Sequence, residues 1–168
     1  LGECGGSEHL ATAPIARLVV EKLFDTVTGK RLAILGFAFK ADTNDTREAP
    51  AIRICRDLLE EGAQLAIHDP KVAAYQIARD LKQEAAPKPD TLSGTGSWAE
   101  AGSVEDAVMG ADAVLVLTEW QDYRNLNWMS LAGRMRKPAW VFDARAITDH
   151  EQVRAAGLTL WCVGDGEG

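Results

Sequence analysis

LAILGFAFKADTNDTREAP, residues 32–50, is the stretch whose reading decides the fold. Leu32, Ala33, Ile34 and Leu35 form an unbroken apolar run that stops at Gly36, the pattern of a strand buried on both faces of a parallel sheet. At its far end stands Pro50, a residue tolerated in the first turn of a helix but not in its interior. Asp45 followed three residues later by Glu48 has the form of a capping box, so a helix is expected to begin near residues 45–49. Between strand and helix lies a polar loop containing one lysine, Lys40, and one arginine, Arg47.

Working downstream, Ile52, Cys55 and Leu59, with Ile54 and Leu58 beside them, repeat at helical spacing and stop at Gly62, a residue suited to a left-handed C-terminal turn. Residues 64–67 read as a second strand and complete a βαβ unit. A helix is expected over 71–82, then a surface loop over 84–97, rich in Pro, Gly, Ser and Thr. Trp98 and Ala99 suggest a short third strand. Further strands are expected over 113–117, 139–142 and 158–162, and helices over 104–109 and 128–135. Upstream, Ile15, Leu18, Val19 and Leu23 give an amphipathic helix over 14–24, with Pro14 in its first turn. Strands alternating with helices, joined by right-handed crossovers, predict an α/β fold. The expected form is a doubly wound, mostly parallel six-stranded sheet with helices on both faces, Rossmann-like in its three layers and preceded by one linker helix.

The 168 residues are 46% hydrophobic, enough for one packed core, and no apolar run approaches the roughly 20 residues of a membrane span. Eighteen Lys and Arg against 25 Asp and Glu leave a net charge of −7, the wrong sign for a nucleic-acid partner. Three cysteines far apart (Cys4, Cys55, Cys162) and no secretory leader point to a reducing, cytoplasmic setting with thiols rather than disulfides. Cys4 is read as a boundary residue, and Cys55 and Cys162 as core thiols.

In doubly wound sheets ligands bind beyond the carboxyl ends of the strands, so the loops after them hold the candidates. The loop after the first strand lacks G-x-G-x-x-G, since bulky Phe37 and Phe39 follow its only glycine. Its Lys40 and Arg47 beside a helix N-terminus form a candidate phosphate site. They can equally do no more than balance Asp42, Asp45 and Glu48 on a solvated loop. Phe37 reads as a core anchor. Asp69, followed by Pro70, occupies the place of a ribose-binding acid, but it also has turn-forming chemistry, and His68 reads as a strand-end residue. Thr118, Glu119 and Trp120, with Asp143 and Arg145, end the strands nearest the expected crevice. Arg145 is a candidate phosphate ligand closing from the side opposite Lys40, the two at the rims of neighbouring strands. Alternatively, Asp143 and Arg145 form a local ion pair and Trp120 serves packing. No metal-ligand spacing occurs, and His9, His68 and His150 have no obvious ligand partners.

ILGFAFKADTNDTREAPAI (34–52), LLEEGAQLAIHDPKV (58–72), ADAVLVLTEW (111–120) and KPAWVFDAR (137–145) follow in an order that resembles the C-terminal domain of the UDP-glucose 6-dehydrogenase family. The resemblance implies UDP-glucose as substrate, with Phe39, Lys40 and Arg145 contacting the UDP-sugar. It implies NAD as cofactor in the complete enzyme, with Arg47 reaching it between domains. The family oxidises the sugar C6 alcohol to a carboxylate through a thiohemiacetal on a cysteine in a Gly-Phe-Gly-Gly-Ser-Cys motif. This chain has no such motif, so no catalytic residue is assigned in it and the chain alone is not expected to catalyse. The implied organisation is a leader or boundary over 1–13, the end of a central linker helix over 14–29 and a UDP-sugar-binding domain over 30–168. The partners are then the N-terminal NAD-binding and central domains, in a homo-oligomer. Sister enzymes of GDP-mannose or UDP-N-acetylmannosamine, and a nucleotide-binding module without chemistry, are the alternatives.

Overall fold

The computed structural model describes residues 14–47, 49–85 and 96–163. Six strands, β1 (Arg31–Leu35), β2 (Gln64–His68), β3 (Ser97–Glu100), β4 (Ala113–Val116), β5 (Trp140–Asp143) and β6 (Thr159–Cys162), form one sheet. Its order is β3-β2-β1-β4-β5-β6, and all five pairings are parallel. This is the doubly wound arrangement read from the sequence, with the strand order reversing between β1 and β4. The four residues Leu32–Leu35 and all four residues of β4 are buried, because both faces of the central strands are covered.

Helices α1 (Pro14–Lys22), α2 (Pro50–Glu60) and α3 (Ala74–Leu81) pack in sequence, α1 on α2 and α2 on α3. The helix α4 (Val104–Val108) contacts β1 and β2, while α5 (Trp128–Ala132) packs on α6 (His150–Ala155). Helix α1 buries Ala16 and Val19 and places Lys22 Nζ 5.9 Å from the centre of the Trp140 ring. Phe37, Phe142, Trp98, Trp128 and Tyr123 are the bulkiest wholly buried side chains. None of the helices is long and apolar enough to cross a membrane among the described residues.

Two local expectations are corrected. Helix α2 begins at Pro50, not within 45–49, and its N-cap is Ala49 in extended conformation with no side-chain cap. The cause is Pro50 itself, whose ring drives the preceding residue out of the helical region, so the helix cannot begin earlier. Asp45 therefore does not cap α2, and Glu48, the other half of the expected box, lies outside the described residues. Secondly, α6 was not expected at all; six residues with one buried apolar side chain, Val153, carry too little periodicity to see. The loop expected over 84–97 falls mostly outside the described residues, as do Cys4 and His9, while Gly96 lies against the Leu59 backbone with no room for a Cβ.

Candidate functional site

The β1, β4 and β5 loops leave the same edge of the sheet, and those after β1 and β4 meet at the point where strand order reverses. Gly36 has φ of +101°, and a Cβ on it would lie 2.4 Å from Thr118 Cβ, so only glycine lets these loops approach. Thr118 is buried and its hydroxyl donates to the Ala38 carbonyl at 2.9 Å.

Asp69 holds the first loop from the other side. Its Oδ2 accepts the amides of Phe37 (2.8 Å) and Ala38 (3.0 Å) and the indole Nε1–H of Trp120 (3.1 Å). Its Oδ1 accepts the amides of Lys71 (2.8 Å) and Val72 (3.0 Å). The Asp-Pro turn is thus real, and the same carboxylate reaches two other loops. Trp120 is buried, 4% exposed, in keeping with the alternative that it serves packing. Beside it His68 ends β2 as a structural residue. The Tyr123 hydroxyl donates to the His68 carbonyl (3.1 Å), which leaves the Tyr oxygen to accept from His68 Nδ1 at 2.8 Å. Burial lowers the His68 pKa against the pull of the nearby carboxylates of Asp69 and Asp122, and burial raises that of Tyr123.

Held this way, the loop turns Phe37 wholly inward and leaves Phe39 46% exposed. Lys40 is exposed and makes no ion pair with any described residue. The loop closes on itself through the Phe39 amide and the Asp45 carbonyl (2.7 Å). Its far end is tied to α3, where Gln76 Nε2 donates to the Asn44 carbonyl (2.7 Å) and the buried Thr46 hydroxyl donates to Asp80. Arg47 lies with its guanidinium along Asp45, Nε to Oδ1 at 3.1 Å and Nη2 to Oδ2 at 2.9 Å. Its side chain is 88% exposed at the rim.

Arg145 and Lys40 share the carboxyl edge, but not as expected: β4 stands between β1 and β5, so their strands are not neighbours. Glu119, from the β4 loop, spans the gap, its Oε1 2.8 Å from Arg145 Nη2. Burial opposes ionisation of Glu119. Its own amide, the Arg145 charge and the Ala41 amide outweigh that, so the carboxyl titrates below its ordinary value. Ala41 is the residue after Lys40, so the Glu119 carboxyl senses the lysine loop as well as the arginine loop. Arg145 makes this ion pair with Glu119 and not the one with Asp143 that the sequence offered as an alternative. The Asp143 carboxylate instead accepts the amides of Arg145 (3.0 Å), Ile147 (2.9 Å) and Thr148 (2.8 Å) and the Thr148 hydroxyl (2.6 Å), which shapes the loop carrying Arg145.

The sequence left His150 without ligand partners, yet the structure brings single atoms of Asp143, His150 and Cys162 within 4.8 Å of one another. The four hydrogen bonds to Asp143 account for that carboxylate as part of its own turn. Cys55 and Cys162 are both buried thiols, as read from the sequence, and burial raises the Cys55 pKa. Sequence reasoning gave no role of its own to Glu119, and to Asp69 either a ribose contact or a turn. The one available signal was an acidic residue within three positions of the end of a buried strand in each case.

The model of the UDP-binding domain of the UDP-glucose/GDP-mannose dehydrogenase family matches residues 33–150. UDP-glucose 6-dehydrogenase 4 of Oryza sativa subsp. japonica is 39% identical over 153 residues, 87% of this chain and 32% of that protein. The UDP-glucose 6-dehydrogenase of Drosophila melanogaster is 41% identical over 150 residues, 87% of this chain and 30% of that protein. The chain thus spans about a third of the length of these relatives. Among solved structures, a UDP-D-ManNAc dehydrogenase from Pyrococcus horikoshii superposes with a TM-score of 0.66 at 25% identity, over 94% of this chain and 31% of that one. A UDP-glucose dehydrogenase from Pyrobaculum islandicum gives 0.62 at 22% identity, over 87% and 28%, a likeness of fold.

Proposed function

Because the chain belongs to the UDP-glucose/GDP-mannose dehydrogenase family, as its UDP-binding domain, we propose that its task is to grip the diphosphate of UDP-glucose while other domains oxidise the sugar. Lys40 carries this reading, an ammonium exposed at the rim of a loop that two other loops and a helix hold in place, with no ion pair to any described residue. Phe39 offers an exposed ring beside it, and Arg145 a planar fork across the β4 loop. With one Arg145 nitrogen on Glu119, its other N–H groups remain for phosphate oxygens. Positioning is what such a domain contributes to rate, and well-aligned reactants gain on the order of 7–11 kcal/mol in favourable systems.

A nicotinamide dinucleotide does not fit this domain as a resident ligand. Its first loop has a single glycine, and the Phe37 and Ala38 amides, which would face a pyrophosphate, are bound to Asp69. In this proposal NAD, the redox partner that accepts hydride, is held mainly by another domain, and exposed Arg47 at the rim supplies one contact to it. The complete enzyme is read as a cytoplasmic homo-oligomer in which residues 14–29 join this domain to the rest.

Titration calorimetry tests the reading. The chain is expected to bind UDP and UDP-glucose in strong preference to ADP and GDP, and Lys40→Ala to weaken UDP by about 1–3 kcal/mol through loss of a charge-assisted contact. Unchanged affinity in that variant removes the site from this loop, and a preference for GDP assigns the chain to a guanine-nucleotide sugar.

A further inference from the structure

We propose that Asp69 is a positioning residue for nucleotide binding, and that the bonds through which it positions Phe39 and Lys40 also bar it from the ribose-binding part that an acid in this place plays in dinucleotide folds. The inference rests on the UDP reading above and names a residue that reading does not use.

A carboxylate has about four lone-pair directions. Asp69 receives five donors, from Phe37, Ala38, Trp120, Lys71 and Val72, at 2.8 to 3.1 Å. No acceptor capacity is left for the two hydroxyls of a ribose. Three of the donors meet at Oδ2 and come from outside its own turn, two from the first loop and one from the loop after β4. The bonded amides, those of Phe37 and Ala38, stand immediately before Phe39 and Lys40. The Ala38 carbonyl is fixed in turn by Thr118. Ala38, two residues before Lys40, is therefore held at its N–H by Asp69 and at its C=O by Thr118, two anchors from different loops. Lys40 itself has no ion pair to hold its side chain among the described residues, so its place is set by that backbone.

The sign of the effect separates positioning from plain electrostatics. A negative charge behind a diphosphate site repels the ligand, so neutralising Asp69 would by charge alone tighten binding. Positioning predicts the reverse. In Asp69→Asn one oxygen becomes an NH2 group that faces N–H donors, and the loop loses its anchor.

The experiment is UDP titration of the 168-residue chain and of Asp69→Asn, Lys40→Ala and the double variant, at a temperature where circular dichroism shows each folded. Asp69→Asn is expected to weaken UDP about tenfold, and the double variant to bind within about twofold of Lys40→Ala, because Asp69 acts through Lys40. Affinity unchanged or raised in Asp69→Asn, with only its melting temperature lowered, overturns the proposal, as does full additivity in the double variant. If Asp69→Asn fails to fold, Trp120→Phe removes one of the three Oδ2 donors with the ring packing kept. It is then expected to weaken UDP two- to fivefold, and unchanged affinity counts against the proposal. Lys40→Ala with unaltered affinity is a separate result, which removes the UDP reading and this inference with it.

Discussion

Asp45 and Arg47 lie two residues apart on an exposed loop, and their pairing has a consequence that pH can reveal. The Arg47 guanidinium hydrogen bonds, then its amide and its charge, hold the Asp45 carboxyl at about 2, below its ordinary 3.8. A carboxyl lowered in the folded state favours folding above its unfolded value, and the contribution disappears as pH falls from about 3.8 through 2. A carbon-detected NMR titration should find Asp45 ionised down to about 2, and Arg47→Ala should return it toward 3.8; no movement in the variant would deny the pairing in solution. Phe37 and Phe39 show how much single residues disclose. That Phe37 belongs to the core follows from its place directly after a buried strand. The five donors of Asp69 were not legible, because Trp120 meets it from 51 positions along the chain, and sequence patterns register only near neighbours. The pairing of Arg145 with Glu119 rather than Asp143 was hidden for the same reason.

Elements were readable where their period was long. Helix α2 spans eleven residues and buries Ala51, Ile54, Cys55, Leu58 and Leu59 on one face, so its body was plain although its start was misplaced by the attraction of Asp45 and Glu48. Helix α6 spans six and was missed, yet its start carries a signature of its own. The Asp149 side chain accepts the Gln152 amide at 3.2 Å, and the Gln152 side-chain amide donates back to Asp149 at 3.1 Å. Over so short a helix the cap is a large share of what holds it. Asp149→Ala is expected to lower stability by about 1 kcal/mol in urea unfolding, with the slope of the transition unchanged. A variant as stable as the parent would show that packing of α6 on α5 suffices.

For the molecule as a whole, a ligand that binds only the folded chain must raise its stability. UDP at a hundred times its dissociation constant is expected to add about 2.7 kcal/mol and to raise the melting temperature by about 5–10 °C, measured by calorimetry. A melting temperature indifferent to UDP would contradict the proposed task of the domain. The architecture itself was legible because apolar runs at 32–35 and 113–117 are the direct imprint of strands covered on both faces. The order of strands was not, since it depends on which crossover lies on which side, and that decided whether Lys40 and Arg145 would have a strand between them.

The parallel sheet also governs how the chain reaches this state. No strand is joined to its partner by a hairpin; even the pair closest in sequence, Trp140 with Thr159, is separated by α6, and Leu32 meets Ala113 across two intervening strands' worth of chain. Each ladder must close a long loop before it gains a single interstrand bond, so the entropic cost comes first and the reward late. Of the two apolar segments that end side by side in the centre of the sheet, β1 has no β4 partner to cover it until residues 113–116 are made. A polypeptide of this topology has its most adhesive surfaces exposed for longest during its own maturation, which makes dilution, rather than sequence repair, the natural remedy for poor recovery after denaturation.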